Sequence, residues 1–264
     1  MLQQEDRIMI GLTDRNARTR AIVTGGAQGI GFAVADALAD EGCKAMALVG
    51  RSAEKGARAV AALKGRGVDA VFISADVAKV ADCRRAVETA LAYLGTVNAL
   101  VNAAATSARG SLTDTGEELF DQIFATNVRG PFFLMQGFVR HLLEREAPGA
   151  IVNVLSMSAH AGQSFLAPYS ASKGALMTLT KNVANAYRRN RIRCNAVAPG
   201  FTATDAIRSA PQWPDLEALA LKRIRSDRVG APDDVAALVA FLCSDEGAWI
   251  NGQVLNVDGG TILR

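Results

Sequence analysis

Tyr169 and Lys173 are four residues apart in the segment YSASK, which opens a helical pattern. Side chains at positions i and i+4 project from the same face of a helix, so the lysine ammonium can approach the tyrosine hydroxyl. A phenol with a pKa of about 10 is a poor base at neutral pH, but a neighbouring cation favours the phenolate and lowers that pKa. The pair could therefore exchange a proton with a substrate oxygen.

Ser156 follows a predicted strand and precedes Tyr169 by thirteen residues. A hydroxyl at this position can hold the substrate oxygen beside the tyrosine, polarising a carbonyl or orienting an alcohol. Ser158 lies nearby and is the alternative to Ser156 in this role. A tyrosine and a lysine at this spacing also occur by chance, so the interpretation depends on the surrounding elements.

A glycine-rich turn, TGGAQGIG, lies between a predicted strand and a predicted helix near the start of the chain. Gly25 permits the tight turn, Gly29 lets the backbone approach a pyrophosphate, and Gly31 permits close packing of helix on strand. The anion would rest on the free N–H groups and the positive dipole end of the helix, with Gln28 and Ile30 in the turn. The motif predicts dinucleotide binding, and a plain structural turn is the alternative.

The end of the second predicted strand indicates which dinucleotide is bound. A carboxylate about 20 residues after the glycine turn would hydrogen-bond the ribose 2′-hydroxyl and repel a 2′-phosphate. This chain has Gly50, Arg51 and Ser52 there, so no carboxylate occupies the place and a guanidinium can pair with a phosphate. The pattern favours NADP over NAD, although Arg51 could also be an exposed residue at the start of the next helix.

Strands and helices alternate regularly from about residue 20 to the C-terminus and must position these residues. Continuous apolar runs predict strands over 21–24, 45–49, 70–74, 99–102, 150–155, 192–198 and 253–257. Helical patterns cover 29–41, 53–64, 79–94, 117–145, 168–190 and 232–244. Such apolar runs are expected of strands buried on both faces of a parallel sheet. The order predicts a single-domain, Rossmann-type, doubly wound α/β fold with about seven strands.

One dinucleotide-binding and catalytic domain is predicted over residues 20–264. Residues 1–19 mix charges without a continuous apolar run, which predicts a flexible extension and argues against a secretory signal. The segment 202–230 breaks the alternation with irregularly spaced prolines and a tryptophan, and is predicted to be a substrate loop or lid.

The motifs, in this order over residues 20–262, resemble those of the short-chain dehydrogenase/reductase family: TGGAQGIG, Asp76 after the third strand, LVNAAA, Asn127, Ser156, YSASK, APG and NVDGG. The resemblance implies an NAD(P)-dependent oxidoreductase. In that family a hydride moves between nicotinamide C4 and the carbon of a secondary alcohol or ketone, while the tyrosine exchanges the proton. A positively charged nicotinamide would further favour the phenolate of Tyr169.

The resemblance also implies roles for residues that carry no signal alone. Asn127 would complete a tetrad with Ser156, Tyr169 and Lys173, distorting a helix locally and holding a water that links Lys173 to solvent. Asp76 would contact the adenine amino group, although a helix-capping role fits its position equally well. The remaining implied cofactor contacts are Val77, Asn102, Pro199, Gly200, Thr202, and Tyr169 and Lys173 themselves, with Val197 near the nicotinamide carboxamide.

Two features of the chain depart from the family's pattern, the loop after the fourth strand and the glycine turn. The family usually has NNAG after its fourth strand, and this chain has Ala103 and Ala105 in place of the second asparagine and the glycine. An alanine there requires a negative φ or a shifted backbone, so the loop geometry is expected to differ. Many NADP-dependent relatives also have a second basic residue where this chain has Gln28.

Other classes of protein lack their defining residues. A serine hydrolase would need a GxSxG elbow, and the two histidines, His141 and His160, offer little general-base chemistry. A P-loop phosphotransferase would need GK[ST] after the glycine turn, and clustered metal ligands are absent, so no metal is expected. A non-catalytic NAD(P)-binding sensor or scaffold is the alternative on the same fold, against which the intact Ser156, Tyr169 and Lys173 argue.

Composition narrows the compartment and the partners. A net charge of +3 gives no reason to expect nucleic acid or an anionic membrane, and no run of about 18 apolar residues predicts a membrane span. The basic run over 188–193 is interpreted as a helix end. Four cysteines lie far apart in sequence (Cys43, Cys83, Cys194, Cys243), which suits reduced thiols in a cytoplasmic protein.

The substrate is the least determined feature. The predicted pocket residues are Thr106, Ser107, His160, Gln163, Phe165 and Trp213. Their hydroxyl, amide and aromatic groups favour a small polyol, sugar or related hydroxy compound, with 3-oxoacyl-thioester reduction as the alternative. The resemblance implies a homotetramer, or a homodimer, formed through the helices predicted over 117–145 and 168–190, although core burial explains their apolar residues equally well.

Overall fold

A computed structural model describes residues 14–263 of the chain. Its seven strands form one sheet in the order β3-β2-β1-β4-β5-β6-β7, and every neighbouring pair is parallel. The strands are β1 (Arg20–Thr24), β2 (Ala45–Gly50), β3 (Asp69–Ser74), β4 (Ala99–Asn102), β5 (Gly149–Val154), β6 (Ile192–Pro199) and β7 (Val254–Val257). The predicted Rossmann-type fold with seven parallel strands is confirmed.

Helices follow most strands and cover both faces of the sheet. They are α1 (Gly29–Asp40), α2 (Ala53–Lys64), α3 (Val80–Leu94), α4 (Glu117–Phe124), α5 (Gly130–Glu144), α6 (Ala167–Ala186), α7 (Asp205–Arg208), α8 (Trp213–Leu221) and α9 (Pro232–Cys243). Short 3₁₀ turns occupy Met157–Ala159, Arg188–Asn190 and Asp245–Gly247. No helix within residues 14–263 has the length and apolar character needed to cross a membrane.

The continuous apolar strands arise because the sheet has a core on each face. In β1, Ile22 packs into the core beneath α3, α5 and α6, while Val23 packs into the core beneath α1, α2 and α9. Phe138 of α5 and Leu38 of α1 are fully buried in these two cores. Burying a side chain of this size contributes roughly 1.5–3 kcal/mol to the free energy of unfolding. A polar residue without hydrogen-bond partners would therefore destabilise either face.

A buried chain of polar side chains anchors α6 to the centre of the sheet. Asn102 at the end of β4 donates from Nδ2 to Oδ1 of Asn153 on β5, at 2.8 Å. Asn153 in turn donates to Oγ1 of Thr180 on α6, at 2.9 Å. Because buried polar groups are costly without partners, these bonds fix the position of α6 over the sheet.

The structure corrects several predicted boundaries. The helix predicted over 117–145 is two helices separated by a π-helical turn, Ala125–Arg129. The helix predicted over 168–190 ends at Ala186 and is followed by a 3₁₀ turn. The segment 202–230 contains α7 and α8, and its role as a lid remains a prediction.

The described end of the N-terminal segment is packed, whereas the sequence predicted flexibility as far as residue 19. Asn16 is fully buried, donates from Nδ2 to the carbonyl of Ala240 at 3.1 Å, and also hydrogen-bonds Glu41. Thr19 is buried beside it and donates to Asn16 Oδ1 at 2.7 Å. Residues 1–13 lie outside the described residues.

Candidate active site

A cleft of about 1400 Å³ opens where the chain leaves the carboxyl ends of β1 to β6. The sheet order reverses between β1 and β4, and ligands of open α/β sheets bind at such a switch point. The predicted site residues that line it are Gly25, Gln28, Gly29, Ile30, Gly31, Arg51, Ser52, Asp76, Val77, Thr106, Ser107, Ser156, Gln163, Phe165, Tyr169, Pro199, Gly200 and Thr202. Asn102, Asn127, His160, Lys173 and Trp213 lie outside this lining.

The glycine turn is tight enough to require glycine at two positions. Gly25 has φ +68°, and a Cβ there would lie 3.0 Å from the backbone nitrogen of Ala104. A Cβ at Gly31 would lie 2.3 Å from the carbonyl oxygen of Gly25. The turn itself is tied to β2, because the Gly25 N–H donates to the carbonyl of Val49 at 2.8 Å. The result is an open backbone cradle at the N-terminus of α1.

Thr24 holds the loop that departs from the family's pattern, and sequence reasoning did not single it out. Its Oγ1 accepts the N–H groups of Ala103 and Ala104, each at 3.1 Å. Among the described non-glycine residues a positive φ occurs at Glu146 and Arg191, so Ala105 adopts a negative φ. The alanine loop therefore fits the cleft without the left-handed conformation that a glycine would permit.

The hydroxyl groups of Ser156 and Tyr169 lie near each other on the cleft wall, and the interaction with Ser156 favours the phenolate form of Tyr169. Ser156 caps the turn Met157–Ala159 and donates to Oγ of Ser158 at 3.1 Å. Because Ser156, and not Ser158, affects the pKa of the phenol, Ser156 is favoured as the hydroxyl that would share a substrate oxygen with Tyr169. Both serines line the cleft.

Lys173 lies behind Tyr169 and is almost completely buried. Its Nζ donates to the carbonyl of Val154 at 2.8 Å and lies 5.8 Å from the centroid of the Tyr169 ring. Burial lowers the pKa of Lys173 to about 8. The ammonium is thus positioned over the ring by one backbone carbonyl and by the register of α6.

The pKa of Tyr169 differs from the sequence expectation. Loss of water around the phenolate raises this pKa, and the hydrogen bond with Ser156 opposes the rise. The sequence argument expected Lys173 to lower it. In the chain itself the cost of burying the phenolate outweighs any stabilisation by the ammonium, whose Nζ lies 5.8 Å from the ring centroid and donates to the Val154 carbonyl. The effect of a positively charged nicotinamide on this pKa remains a prediction.

Asn127 lies in the π-helical turn and connects two walls of the site. Its Oδ1 accepts the N–H of Thr106 at 2.9 Å, and its Nδ2 donates to the Thr106 carbonyl at 2.9 Å and to Ser172 Oγ at 3.0 Å. Ser172 Oγ donates to the carbonyl of Tyr169 at 2.7 Å. This fully buried amide therefore joins the loop after β4 to the N-terminal part of α6. The water that the resemblance implies remains a prediction.

At the other end of the cleft, two predicted residues and one unforeseen residue meet. Ser52 caps α2 by accepting the N–H of Lys55 at 3.3 Å. The Lys55 ammonium reaches across and donates to Oε1 of Gln28 in the glycine turn. Lys55 lines the cleft together with Arg51. Its only sequence signal was a position three residues after Ser52, in the first turn of α2.

Asp76 makes backbone contacts at the edge of this end of the cleft. Its Oδ1 accepts the N–H of Ala78 at 3.1 Å, and its own N–H donates to Asp82 Oδ2 at 2.8 Å. These bonds hold the turn between β3 and α3, and Asp76 does not cap α3, whose N-cap residue is Lys79. The adenine contact remains a prediction.

The predicted substrate residues divide into two groups. Thr106, Ser107, Gln163 and Phe165 line the cleft, whereas His160 and Trp213 do not. Trp213 instead stacks on Phe201, with ring centroids 6.1 Å apart. The sequence analysis missed several apolar lining residues, among them Met157, Phe201, Ile207, Leu216 and Leu219.

Comparisons with known proteins identify the family. A profile described as enoyl-(acyl carrier protein) reductase matches residues 25–261. Bovine dehydrogenase/reductase SDR family member 4 is 36% identical over 243 residues, which cover 92% of this chain and 86% of that protein. The chain belongs to the short-chain dehydrogenase/reductase family. It is therefore an NAD(P)-dependent oxidoreductase that acts on alcohols or ketones, as predicted.

Two further members of the family are similar over nearly their whole length. The 2-(S)-hydroxypropyl-CoM dehydrogenase 3 of Xanthobacter autotrophicus is 36% identical over 242 residues, 90% of this chain and 94% of that enzyme. A short-chain dehydrogenase from Burkholderia cenocepacia, solved in complex with NADP, superposes with a TM-score of 0.85 at 33% identity. That match covers 95% of this chain and 99% of the other.

Proposed function

We propose that this short-chain dehydrogenase/reductase interconverts a secondary alcohol and a ketone through Ser156, Tyr169 and Lys173, with NADP as its coenzyme. The observation that carries the proposal is that the neighbouring hydroxyl groups of Ser156 and Tyr169 line the same cleft as the glycine turn. Lys173, buried behind the phenol, completes a group able to bind an oxygen and move its proton.

Each residue has a separate task in the mechanism. Ser156 donates its hydroxyl proton to the substrate oxygen and holds that oxygen beside the phenol. Tyr169 delivers a proton to the oxygen in reduction and accepts it in oxidation. Lys173 stabilises the phenolate left after the proton leaves, since its ammonium lies over the ring. Asn127 holds the loop at Thr106 against α6 through its bonds to Thr106 and Ser172.

The residues present fit a dinucleotide. The backbone cradle at Gly25 and Gly31 would be filled by any Cβ, and it faces the cleft at the N-terminus of α1, where a pyrophosphate is stabilised. When bound, NADP(H) supplies the hydride. Arg51 and Ser52 would hold the 2′-phosphate end, because the cleft has no carboxylate at the end of β2. Pro199, Gly200 and Thr202 would hold the nicotinamide end, as the resemblance implies.

The substrate is proposed to be a hydroxy or oxo compound of small to moderate size. Thr106, Ser107 and Gln163 offer the hydroxyl and amide groups that suit a polyol or sugar. A second candidate, a 3-oxoacyl thioester, is favoured by an apolar stretch of wall that includes Phe165, Leu216 and Leu219. The description of the matching family profile, an acyl-carrier-protein reductase, is consistent with that candidate.

A cytoplasmic homo-oligomer, a tetramer or a dimer, is proposed as the working form. The four cysteines are separate buried thiols, which suits a reducing compartment. The side chains of Phe120 on α4 and Phe132 on α5 are each 44% exposed, an apolar surface that a second copy would cover. Light scattering after gel filtration tests this proposal, and a monomer at micromolar concentration would contradict it.

The enzymatic proposal is tested by initial rates with NADPH and NADH against a panel of ketones, sugars, polyols and 3-oxoacyl thioesters. Turnover with NADPH and at least one carbonyl compound is expected. Tight NADPH binding without turnover across the whole panel would contradict it and would support the non-catalytic sensor or scaffold instead.

A further inference from the structure

The glycine turn lacks a basic residue, but a cation reaches it from elsewhere in the chain. Gln28 is the N-cap residue of α1, and its side chain makes no capping hydrogen bond. Its Oε1 instead accepts a hydrogen bond from Nζ of Lys55, which lies 27 residues further along, on α2. The positive charge that residue 28 does not provide is therefore present beside it in space.

The position of Lys55 is set by backbone structure as well as by its side chain. Its N–H donates to Ser52 Oγ, the cap of α2, so the backbone of Lys55 is held in the first turn of the helix, close in sequence to Arg51. Gln28, Arg51, Ser52 and Lys55 all line the cleft. An anion entering between the glycine turn and the start of α2 would meet a guanidinium, an ammonium, a hydroxyl and the N-terminus of α2.

The surrounding charges leave the ammonium available. The partner of Lys55 is a neutral amide, and no carboxylate within residues 14–263 forms an ion pair with its ammonium. Glu54, the nearest acid in sequence, pairs with Arg58 one helical turn on and is not part of the cleft lining. Of the described carboxylates that line the cleft, Asp76 accepts a backbone N–H at the β3–α3 turn and Asp205 begins α7.

We propose that Lys55 is a specificity-determining residue that holds the 2′-phosphate of the coenzyme together with Arg51. A phosphate monoester carries a charge of about −1.5 to −2 at pH 7, which two cations neutralise and one does not. A free ribose 2′-hydroxyl gains little from the second cation, so Lys55 discriminates between NADP and NAD. This inference rests on the proposed coenzyme-dependent function.

The hydrogen bond from Lys55 to Gln28 keeps the ammonium in the cleft. A lysine or arginine at position 28 would repel the ammonium of Lys55, whereas the amide oxygen of Gln28 accepts a hydrogen bond from it. A carboxylate at position 28 would pair with Lys55 and repel the phosphate. Gln28→Glu is therefore expected to weaken NADPH binding more than Lys55→Met does, with the shape of the side chain almost unchanged.

The test is equilibrium binding of NADPH, NADH and adenosine 2′,5′-bisphosphate to the full chain by calorimetry. Lys55→Met is compared with Lys64→Met, a matched control in the last turn of α2 that is exposed and outside the cleft lining. The expected result is a loss of about tenfold, or about 1.4 kcal/mol, for NADPH and the bisphosphate with Lys55→Met. NADH binding should change less than twofold, and Lys64→Met should alter neither coenzyme.

Equal losses for NADPH and NADH, or no loss for NADPH, would overturn the role of Lys55. Thermal unfolding of each variant separates such results from misfolding. A wild-type protein that binds neither coenzyme would overturn the proposed function itself. The selective loss should also shrink as salt is raised, because the contact is an exposed charge pair.

Discussion

Replacing Gly31 by alanine tests the packing of the glycine turn. The new Cβ would lie 2.3 Å from the carbonyl oxygen and 2.6 Å from the carbonyl carbon of Gly25, about 1 Å or more inside normal contact distances. The carbonyl cannot retreat freely, since the N–H of Gly25 is bonded to Val49 and its α-carbon faces the backbone of Ala104. The turn must therefore open by about 1 Å.

Overpacking of this kind costs about 1–3 kcal/mol of unfolding free energy. For a domain of this size each kcal/mol corresponds to about 2–4 °C, so Tm should fall by about 2–12 °C. Because the same backbone N–H groups would hold the pyrophosphate, we expect NADPH affinity to fall at least tenfold as well. Scanning calorimetry and coenzyme titration measure the two effects on one sample.

Gly65→Ala is the matched control for this experiment. Gly65 has φ −59° at the end of α2, and a Cβ there meets nothing closer than 3.4 Å. That variant should be neutral or gain about 0.4–1 kcal/mol, with unchanged coenzyme affinity. A Gly31→Ala protein with wild-type Tm and wild-type NADPH affinity would refute the reasoning from the turn geometry.

Three further predictions concern the rest of the cleft. Folded Lys173 has a pKa of about 8 against 10.5 for the free side chain, so the unfolded chain binds more protons in that window. Wild-type stability relative to Lys173→Met should therefore rise between pH 8 and 10.5 in urea titrations, and a constant difference would contradict it. Asn127→Asp loses the amide donors to Thr106 and Ser172, so the free energy of unfolding should fall by about 1–3 kcal/mol in calorimetry. Rate assays should show a lower kcat. Wild-type values for both would contradict a role of Asn127 in holding the Thr106 loop against α6. Gly50→Asp should weaken NADPH binding relative to Gly50→Ala, with equal affinities in a titration as the contrary outcome.

The strands and the glycine turn were predictable because their signals are local. Both faces of the sheet are covered, so β1 and β4 are apolar at successive positions, as the residues around Ile22 and Leu100 show. The requirement for glycine at Gly31 likewise follows from a clash with Gly25, six residues away. Patterns of this kind can be read from one stretch of sequence.

Features that depend on distant partners could not be derived from local patterns. The π-helical turn is held by bonds from Asn127 to Thr106 and Ser172, and the periodicity of 117–145 contains no trace of them. A local distortion at Asn127 was implied only by the resemblance to the family. Asn16 is packed because it meets Glu41 and Ala240, neither of which is near in sequence.

Some missed features had a local signal. Pro214 lies in the first turn of α8, a position typical of helix starts, so this helix within the predicted lid could have been found. The partner of Lys55, in contrast, is in a different βα unit and becomes visible only in three dimensions.

The central claim is that the Tyr169 hydroxyl transfers the proton. Tyr169→Phe keeps the ring beneath Lys173 and removes only the oxygen that contacts Ser156, so the fold should remain intact. With the best substrate found in the panel, we expect kcat to fall by about 10²–10⁴, while Tm stays close to that of the wild type and NADPH still binds. A folded, NADPH-binding Tyr169→Phe enzyme that retained near wild-type kcat would contradict the mechanism.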